Sequence, residues 1–313
     1  MYPGIELRLM RYVVAIAEEL HFSRAADKLH VSQPSLSKQI RELEDELGIG
    51  LFDRTKRQVR LTRAGEAFVK EAQEALLHSQ RAVHVAKAAN GPETFNLGYS
   101  PFVNPRMIGM VRVIPTDAVG GKPIKLVSAF TGMQLERILT GEMDAGLVML
   151  PVAVPKVVVR PLTSELLQIV LPASHPLAFY QSPRLTDLQQ SSCITIGRQS
   201  HPALHAQISN RCAEHGLNLH IVQEVTTFSE AASMVAEGLG FAFARAWHER
   251  LVHPGIVFKS IEGNPLEIET GIAYRESAQC EVVDKLVSVL EWRMEPRDLA
   301  IPIPKTDSSR MVA

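Results

Sequence analysis

The chain has 313 residues, 46% of them hydrophobic and 21% charged, with a formal net charge of -1. That length allows two or three domains with cores of their own, and the apolar content excludes a disordered chain. No apolar run approaches the ~20 residues needed to span a bilayer. The first twenty residues carry Glu6, Arg8, Arg11, Glu18 and Glu19, which neither a secretory nor a transit peptide tolerates. The three cysteines, an odd number set far apart, fit a reducing compartment. A cytoplasmic protein without a membrane partner is expected. The near-zero charge carries no signal for nucleic acid, so any grip on phosphate must come from locally grouped cations.

Residues 5–20 form the first predicted helix, with Met10, Val13, Val14, Ala17 and Leu20 in helical period. Two more helices follow, joined by a turn at His30-Val31. Ser23 is placed to cap the first of them, and Ala25, Ala26 and Leu29 give it a small apolar face. Ser32 caps the second, and Pro34 sits in its first turn, where a missing N–H costs little. Leu36, Ile40, Leu43 and Leu47 make one buried stripe, which leaves Gln33, Ser35, Ser37, Lys38 and Arg41 facing outward. An exposed helix start of short polar groups with a basic edge suits the major groove of DNA. An ordinary helical hairpin with a solvated face needs similar residues, so the order of signals has to decide.

Gly48 to Gly50 ends that helix and opens a short hairpin. The stretch from Arg54 to Arg63 also holds Lys56, Arg57 and Arg60 and contains no acid, a pattern for backbone phosphate. Arg54 adjoins Phe52 and can instead brace the hairpin. Thr62 then caps a long helix over residues 63–89. Its seam (Phe68, Ala72, Ala75, Leu76, Ser79, Ala82, Val83 and Ala86) has no obvious partner later in the chain, so a second copy of the same helix is expected there. Asn90-Gly91-Pro92 ends the helix as a hinge.

Residues 5–65 resemble the winged helix-turn-helix domain of LysR-type transcriptional regulators. The likeness rests on Phe22-Ser23-Arg24-Ala25-Ala26, Ser32-Gln33-Pro34-Ser35-Leu36-Ser37-Lys38-Gln39-Ile40, Leu43-Glu44, Leu47-Gly48, Leu51-Phe52-Asp53-Arg54 and Leu61-Thr62-Arg63-Ala64-Gly65. With it, the expected operator contacts are Ser32, Gln33, Pro34, Ser35, Ser37, Lys38, Arg41, Arg54, Arg57 and Arg60. The resemblance also implies an antiparallel dimer through the long helix, a tetramer on a pair of half-sites, and RNA polymerase as a partner.

From residue 93 onward strands alternate with helices, which predicts a mostly parallel sheet. Strands are expected at 95–99, 124–128, 145–150, 166–171, 193–196, 220–224 and 266–274, with a turn plus buried strand over 238–244. Helices are expected from Ser100 to about 114, from Thr131 to Thr140, over 201–215, from Thr226-Thr227 to Glu237, and up to about 293. The segment Gly141-Glu142-Met143-Asp144-Ala145-Gly146-Leu147-Val148 also resembles the family. The predicted class is α/β overall: a winged helix-turn-helix domain (1–62), a dimerisation helix and hinge (63–91), and a two-lobed, periplasmic-binding-protein-like effector domain (92–293). Lobe I takes 92–161 and 266–293, lobe II takes 162–265, with a crossing at 151–161. A tail of 294–313 completes the chain.

Ser100, Thr131 and Thr226-Thr227 are each placed where a strand ends and a helix begins. Free N–H groups and a hydroxyl there suit an anion, although helix capping alone uses the same residues. Their convergence between two lobes is what makes a cleft. In the resembling family, positions matching Ser100 and Thr131 line the effector pocket. Phe102, Met133, Ile196, Arg198 and Phe228 are candidate walls, with Arg198 a carboxylate partner, and the expected effector is small and anionic. The rival constellation is His201, His205, Cys212, His215 and His220, in which His201 and His205 stand one helical turn apart, a zinc-capable spacing. No carboxylate cluster joins it, so no metal or cofactor is assigned. Cys193 and Cys212 invite comparison with peroxide sensors, but Cys193 lies in an apolar strand where thiols pack inertly. No nucleophile elbow, phosphate loop or zinc-protease motif is present, so an enzyme is not expected. The alternative is a small-molecule- or metal-binding protein whose amino-terminal module no longer binds DNA.

Overall fold

The computed structural model describes residues 4–54, 59–90, 94–112, 114–116, 121–199, 201–250, 253–277 and 281–293. Lys56, Arg57, the Arg54 side chain, the Gly91-Pro92 hinge and the 294–313 tail lie outside the described residues and side chains. The chain forms two compact units, Met1–Pro92 and Glu93–Ala313.

The first unit comprises α1 (Leu7–Glu19), α2 (Phe22–Leu29), α3 (Gln33–Leu47), the strands β1 (Phe52–Arg54) and β2 (Val59–Leu61), and α4 (Arg63–Ala89). Its core joins Val13 and Ile16 of α1, Ala25 and Ala26 of α2, and Leu36, Ile40 and Leu43 of α3 with Leu51 and Phe52. α2 is not capped by Ser23. The His21 side chain does this instead, accepting from the backbone N–H of Ser23 and Arg24, while Ser23 stands inside the first turn. Ser32 caps α3 by accepting from Ser35 N, and Gly48 ends that helix in the left-handed region (φ 67°). The Glu44 carboxylate accepts from Leu51 N (2.8 Å) and Phe52 N (2.9 Å), which fixes the hairpin to the end of α3. Thr62 caps α4 through Gly65 N at 2.9 Å. Any Cβ on Gly65 would stand 2.0 Å from Leu51 O, so this contact demands glycine. The α4 seam is divided. Phe68 and Ala72 are spent on the core of their own unit, whereas Ala82, Val83 and Ala86 are exposed.

The second unit contains β3 (Phe95–Tyr99), α5 (Pro105–Arg112), β4 (Ile124–Ser128), α6 (Thr131–Thr140), β5 (Ala145–Met149) and β6 (Val157–Pro172). It continues with β7 (Ser192–Ile196), α7 (Pro202–Glu214), β8 (His220–Val225), α8 (Phe228–Ala236), β9 (Phe241–Arg245), β10 (Ile256–Ser260), β11 (Glu267–Arg275) and α9 (Glu281–Arg293). The strands run in the order β4-β3-β5-β11-β6-β9-β7-β8, with β10 also paired to β6. β3 is parallel to β4 and β5, and β7 is parallel to β8 and β9. The connecting strands break the mostly parallel expectation, since β11 and β6 run antiparallel to all their neighbours. Their two passages divide the sheet into two lobes.

Two further expectations are corrected here, and one strand is added. The helix after β3 begins at Pro105, because Ser100 to Asn104 first form a turn closed by Val103 N on Ser100 O (2.9 Å). The crossing at 151–161 and the strand at 166–171 are largely one 16-residue strand, β6. Pro161 is accommodated because the pairing with β11 slips at Thr270/Gly271, and bulges accept residues without a ladder N–H. β10 has no counterpart among the expected strands, since its residues carry no clear alternation.

Candidate functional site

The first unit presents an outward face at the start of α3. Ser32, Gln33, Pro34, Ser35, Lys38 and Arg41 are exposed and Ser37 is half-buried, while Leu36, Ile40 and Leu43 hold the opposite side. Ser35 Oγ accepts from Gln39 Nε2 (3.2 Å), and Lys38 Nζ stands 3.6 Å from Glu42, an exposed pair that a phosphate can displace at little cost. Arg60 of β2 is exposed and Arg54 is in β1. The helix therefore offers short polar side chains at its tip and cations along its flank, held by an apolar core and by the Glu44 clamp.

Between the lobes of the second unit a different set of groups converges. Ser100, at the end of β3, is fully buried, and its Oγ lies 3.4 Å from His201 Nε2. Phe102 and Phe130 meet the His201 ring edge-on, with centroids 4.8 and 5.5 Å away. Thr131 does not cap α6, whose N-cap is Phe130. Its Oγ1 accepts from Met149 N at 3.2 Å, tying the start of α6 to the end of β5. Burial, with the Arg245 cation second, holds the His201 imidazole down to a pKa of about 4, so it is neutral near pH 7.

Behind these groups lies an apolar cavity of about 50 Å³, walled by Phe102, Met149, Ile194, Ile196, Phe228 and Phe243, with Thr195, Arg245 and His248 as its polar members. Arg245 is 3% exposed. Its Nη1 donates to Glu165 Oε2 and to the Phe102 carbonyl, both at 2.9 Å, and its Nη2 meets the Met149 sulfur at 3.2 Å. Asn104 Nδ2 donates to the other oxygen of Glu165 at 3.3 Å. Burial lowers the Arg245 pKa against the pull of Glu165, and it pushes His248 down to about 3 with Arg245 adding to the effect.

The structure thus brings together Ser100 and Phe102, and it sets Phe102, Ile196 and Phe228 around the cavity. Met133, Arg198, Thr226 and Thr227 are not among the residues that wall that cavity. Arg198 is exposed, with its backbone N–H on Glu224 (3.0 Å), and Met133 is 47% exposed. Thr226 and Thr227 are exposed and occupied by Glu230: Thr227 caps α8 at Glu230 N, and the Thr226 hydroxyl donates to the Glu230 carboxylate.

Three residues that the sequence does not mark for the cleft matter here. His201, which the sequence offers only as part of a metal constellation, is the buried N-cap residue of α7. The Pro202 that follows it marks that helix start and is the signal that could have placed it. Arg245 and Glu165 are 80 positions apart and gave no local sign. His205 is buried beside Glu224 (3.7 Å), and among the described residues no three His, Cys, Asp or Glu side chains gather for a metal. Cys193 and Cys212 are buried thiols pushed up to about 12, the first by burial and then by its neighbour Cys212, the second by burial. Neither is disposed to form a thiolate.

Three comparisons bear on this geometry. Residues 7–66 match the family model "Bacterial regulatory helix-turn-helix protein, lysR family", and residues 123–293 match "LysR substrate binding domain". The chain is 32% identical over 295 residues to the Hca operon transcriptional activator HcaR of Escherichia coli, covering 93% of this chain and 98% of that protein. It is 30% identical to the HTH-type transcriptional regulator AlsR of Bacillus subtilis, over 91% of this chain and 95% of that one. Among solved structures, a cysteine mutant of Corynebacterium glutamicum OxyR superposes with a TM-score of 0.59 at 27% identity, covering 95% of this chain and 94% of that chain.

Proposed function

The chain belongs to the LysR family of DNA-binding transcriptional regulators with an effector-binding domain, and is not an enzyme; on that premise we propose how its residues divide the work. Gln33, Pro34, Ser37 and Lys38 approach base edges of operator DNA in the major groove. Ser32, Ser35, Arg41, Arg54, Arg57 and Arg60 serve the backbone or the adjacent minor groove. The observation that carries this is the exposed polar tip of α3, built on the buried Leu36-Ile40-Leu43 stripe. Gln33 is the main base reader, since its amide can pair bidentately with adenine.

The effector occupies the space between the lobes beside Ser100, Phe102, Thr131 and His201. The chain works as a homodimer through the exposed part of α4, assembled further into a tetramer, and contacts RNA polymerase from its operator. No helix among the described residues is long and apolar enough to cross a membrane, which agrees with a cytoplasmic regulator. The alternative of a binding protein with an inactive amino-terminal module gains no support from the family matches.

The test is the salt dependence of binding to operator-bearing duplex. Six to ten phosphate contacts should weaken affinity by about 10³–10⁵ between roughly 50 and 200 mM salt, and a flat response would overturn the reading. For assembly, Leu76→Asp places a charge in the seam and should yield a smaller sedimenting species. An unchanged profile would rule out the α4 dimer.

A further inference from the structure

Arg245 is an unusual occupant for the end of an apolar strand. It closes β9 after Phe241, Ala242, Phe243 and Ala244, and its guanidinium is buried. Nη1 is well supplied, with the Glu165 carboxylate and the Phe102 carbonyl both at 2.9 Å. Nη2 faces the thioether of Met149 at 3.2 Å, a weak acceptor for a charged donor. Arg245 also lines the apolar cavity between Phe102 and Phe228, and its guanidinium bonds two other lining residues, Phe102 and Met149. A buried cation with weakly satisfied donors, next to a void lined by hydrocarbon, is what an amphipathic acid requires: charge-assisted bonds for its head and dry space for its body.

The volume limits the body. A cavity of about 50 Å³ is far below the ~150 Å³ that accepts a benzene ring. It holds only a few methyl or methylene groups. We propose that Arg245 anchors the carboxylate of a short-chain aliphatic monocarboxylic acid, of about three to five carbons, whose hydrocarbon body fills the cavity between Phe102 and Phe228. The carboxylate displaces the Met149 sulfur from Nη2 while Nη1 keeps Glu165, so the lobe-bridging ion pair survives binding. The proposal rests on the interlobe space being the effector site, and it adds the class of ligand and the side chain that selects it.

The experiment is calorimetric titration of the full chain with propanoate, butanoate and 2-methylpropanoate, using butanamide as the uncharged control and benzoate as the oversized one. Saturable binding of the aliphatic acids is expected, with butanamide and benzoate at least about tenfold weaker. Arg245→Met leaves the Glu165 carboxylate without its cation and can unfold the lobe, so the informative variant combines Arg245→Met with Glu165→Gln, which removes both charges. That variant should keep its circular dichroism and its operator affinity while losing at least about tenfold in butanoate affinity. Equal binding of butanoate and butanamide, or undiminished binding by the double variant, overturns the anchor but leaves the cleft as the effector site. Benzoate binding as tightly as butanoate, or no binding of any aliphatic acid, overturns the ligand class. The effector reading itself falls only if ligands that do bind are unaffected by Thr131→Val and Ser100→Ala alike.

Discussion

The two units place their polar side chains on opposite sides of their cores. In the first, the described buried residues are apolar, and Gln33, Ser35, Lys38 and Arg41 stand outside. In the second, Ser100, Asn104, Thr131, Gln134, Thr195, His201, His205, Arg245, His248 and Thr270 are all buried. The difference follows from what each unit has to recognise. Duplex DNA is a large polyanion that can be met only on an exposed face, where base edges and phosphates replace water. A small effector is recognised by enclosure, and enclosing it puts the recognising groups into the core, where each must find a partner or cost stability. The first unit separates stability from function by position. The second, on the proposed site, builds both from the same residues.

The sharpest way to break that contrast is to remove one inner group. Arg245→Met alone leaves the Glu165 carboxylate with Asn104 as its remaining donor, and breaking such a pair costs about 3–5 kcal/mol. Chemical denaturation should show this loss in the second unit, and a cost below about 1 kcal/mol would mean the buried pair is not committed to the fold. In the first unit the comparable loss comes from an apolar residue. Ile40→Ala should cost about 2–5 kcal/mol by opening a cavity, and it should weaken binding to every operator alike through reduced folding.

Acid should separate the units next. The native His201 pKa of about 4 lies below the unfolded value near 6.5, so the unfolded chain binds more protons between those pH values. The stability this group contributes is therefore complete above about pH 6.5 and is lost as pH falls towards about 4, by roughly 3 kcal/mol. His248 adds a loss in the same direction that extends to about pH 3. Denaturation midpoints measured from pH 7 to pH 4 should fall less steeply in His201→Gln, and an unchanged slope would show that the imidazole is not held neutral. The smallest effect belongs to the outer face. Gln33→Ala should leave stability within about 0.5 kcal/mol and relax discrimination at one base pair per half-site by about 1–3 kcal/mol. Binding measured across single-base operator variants checks it, and an unchanged preference would remove Gln33 from the groove.

Much of the first unit is legible in the sequence because its signals are local. Ser32, Pro34, the Leu36-Ile40-Leu43 stripe and Gly48 lie within one helix and its caps, and each acts on its near neighbours. Ser23 misled because a histidine two residues earlier can cap as well, a use of the ring that residue-type preferences understate. The strands and helices of the second unit are legible for the same reason, with the break at Ser100–Asn104 and the fusion of β6 as exceptions. Its site is not. Ser100 meets His201 across 101 positions, and Arg245 meets Glu165 across 80. Thr226, Thr227 and Arg198 have the right residue types at the right kind of position, yet local partners engage the two threonines and Arg198 stays exposed.

The long strand β6 has a consequence for how the chain can change length. Side chains alternate along a strand, so Glu165, Leu167, Ile169 and Leu171 share one side, while Val170 faces the other and joins the Phe228 cluster. Beyond the slip opposite Thr270/Gly271, β6 runs on to Pro172 with no further register shift, so that stretch keeps a single parity. Deleting Ser164 would turn every later side chain over, sending Leu167 and Ile169 outward and detaching Glu165 from Arg245. Removing two would shift the pairing but keep the faces. The loop at 151–156 just before it carries no such constraint. Among relatives of this chain, odd-numbered insertions should therefore collect in that loop and be absent from the strand.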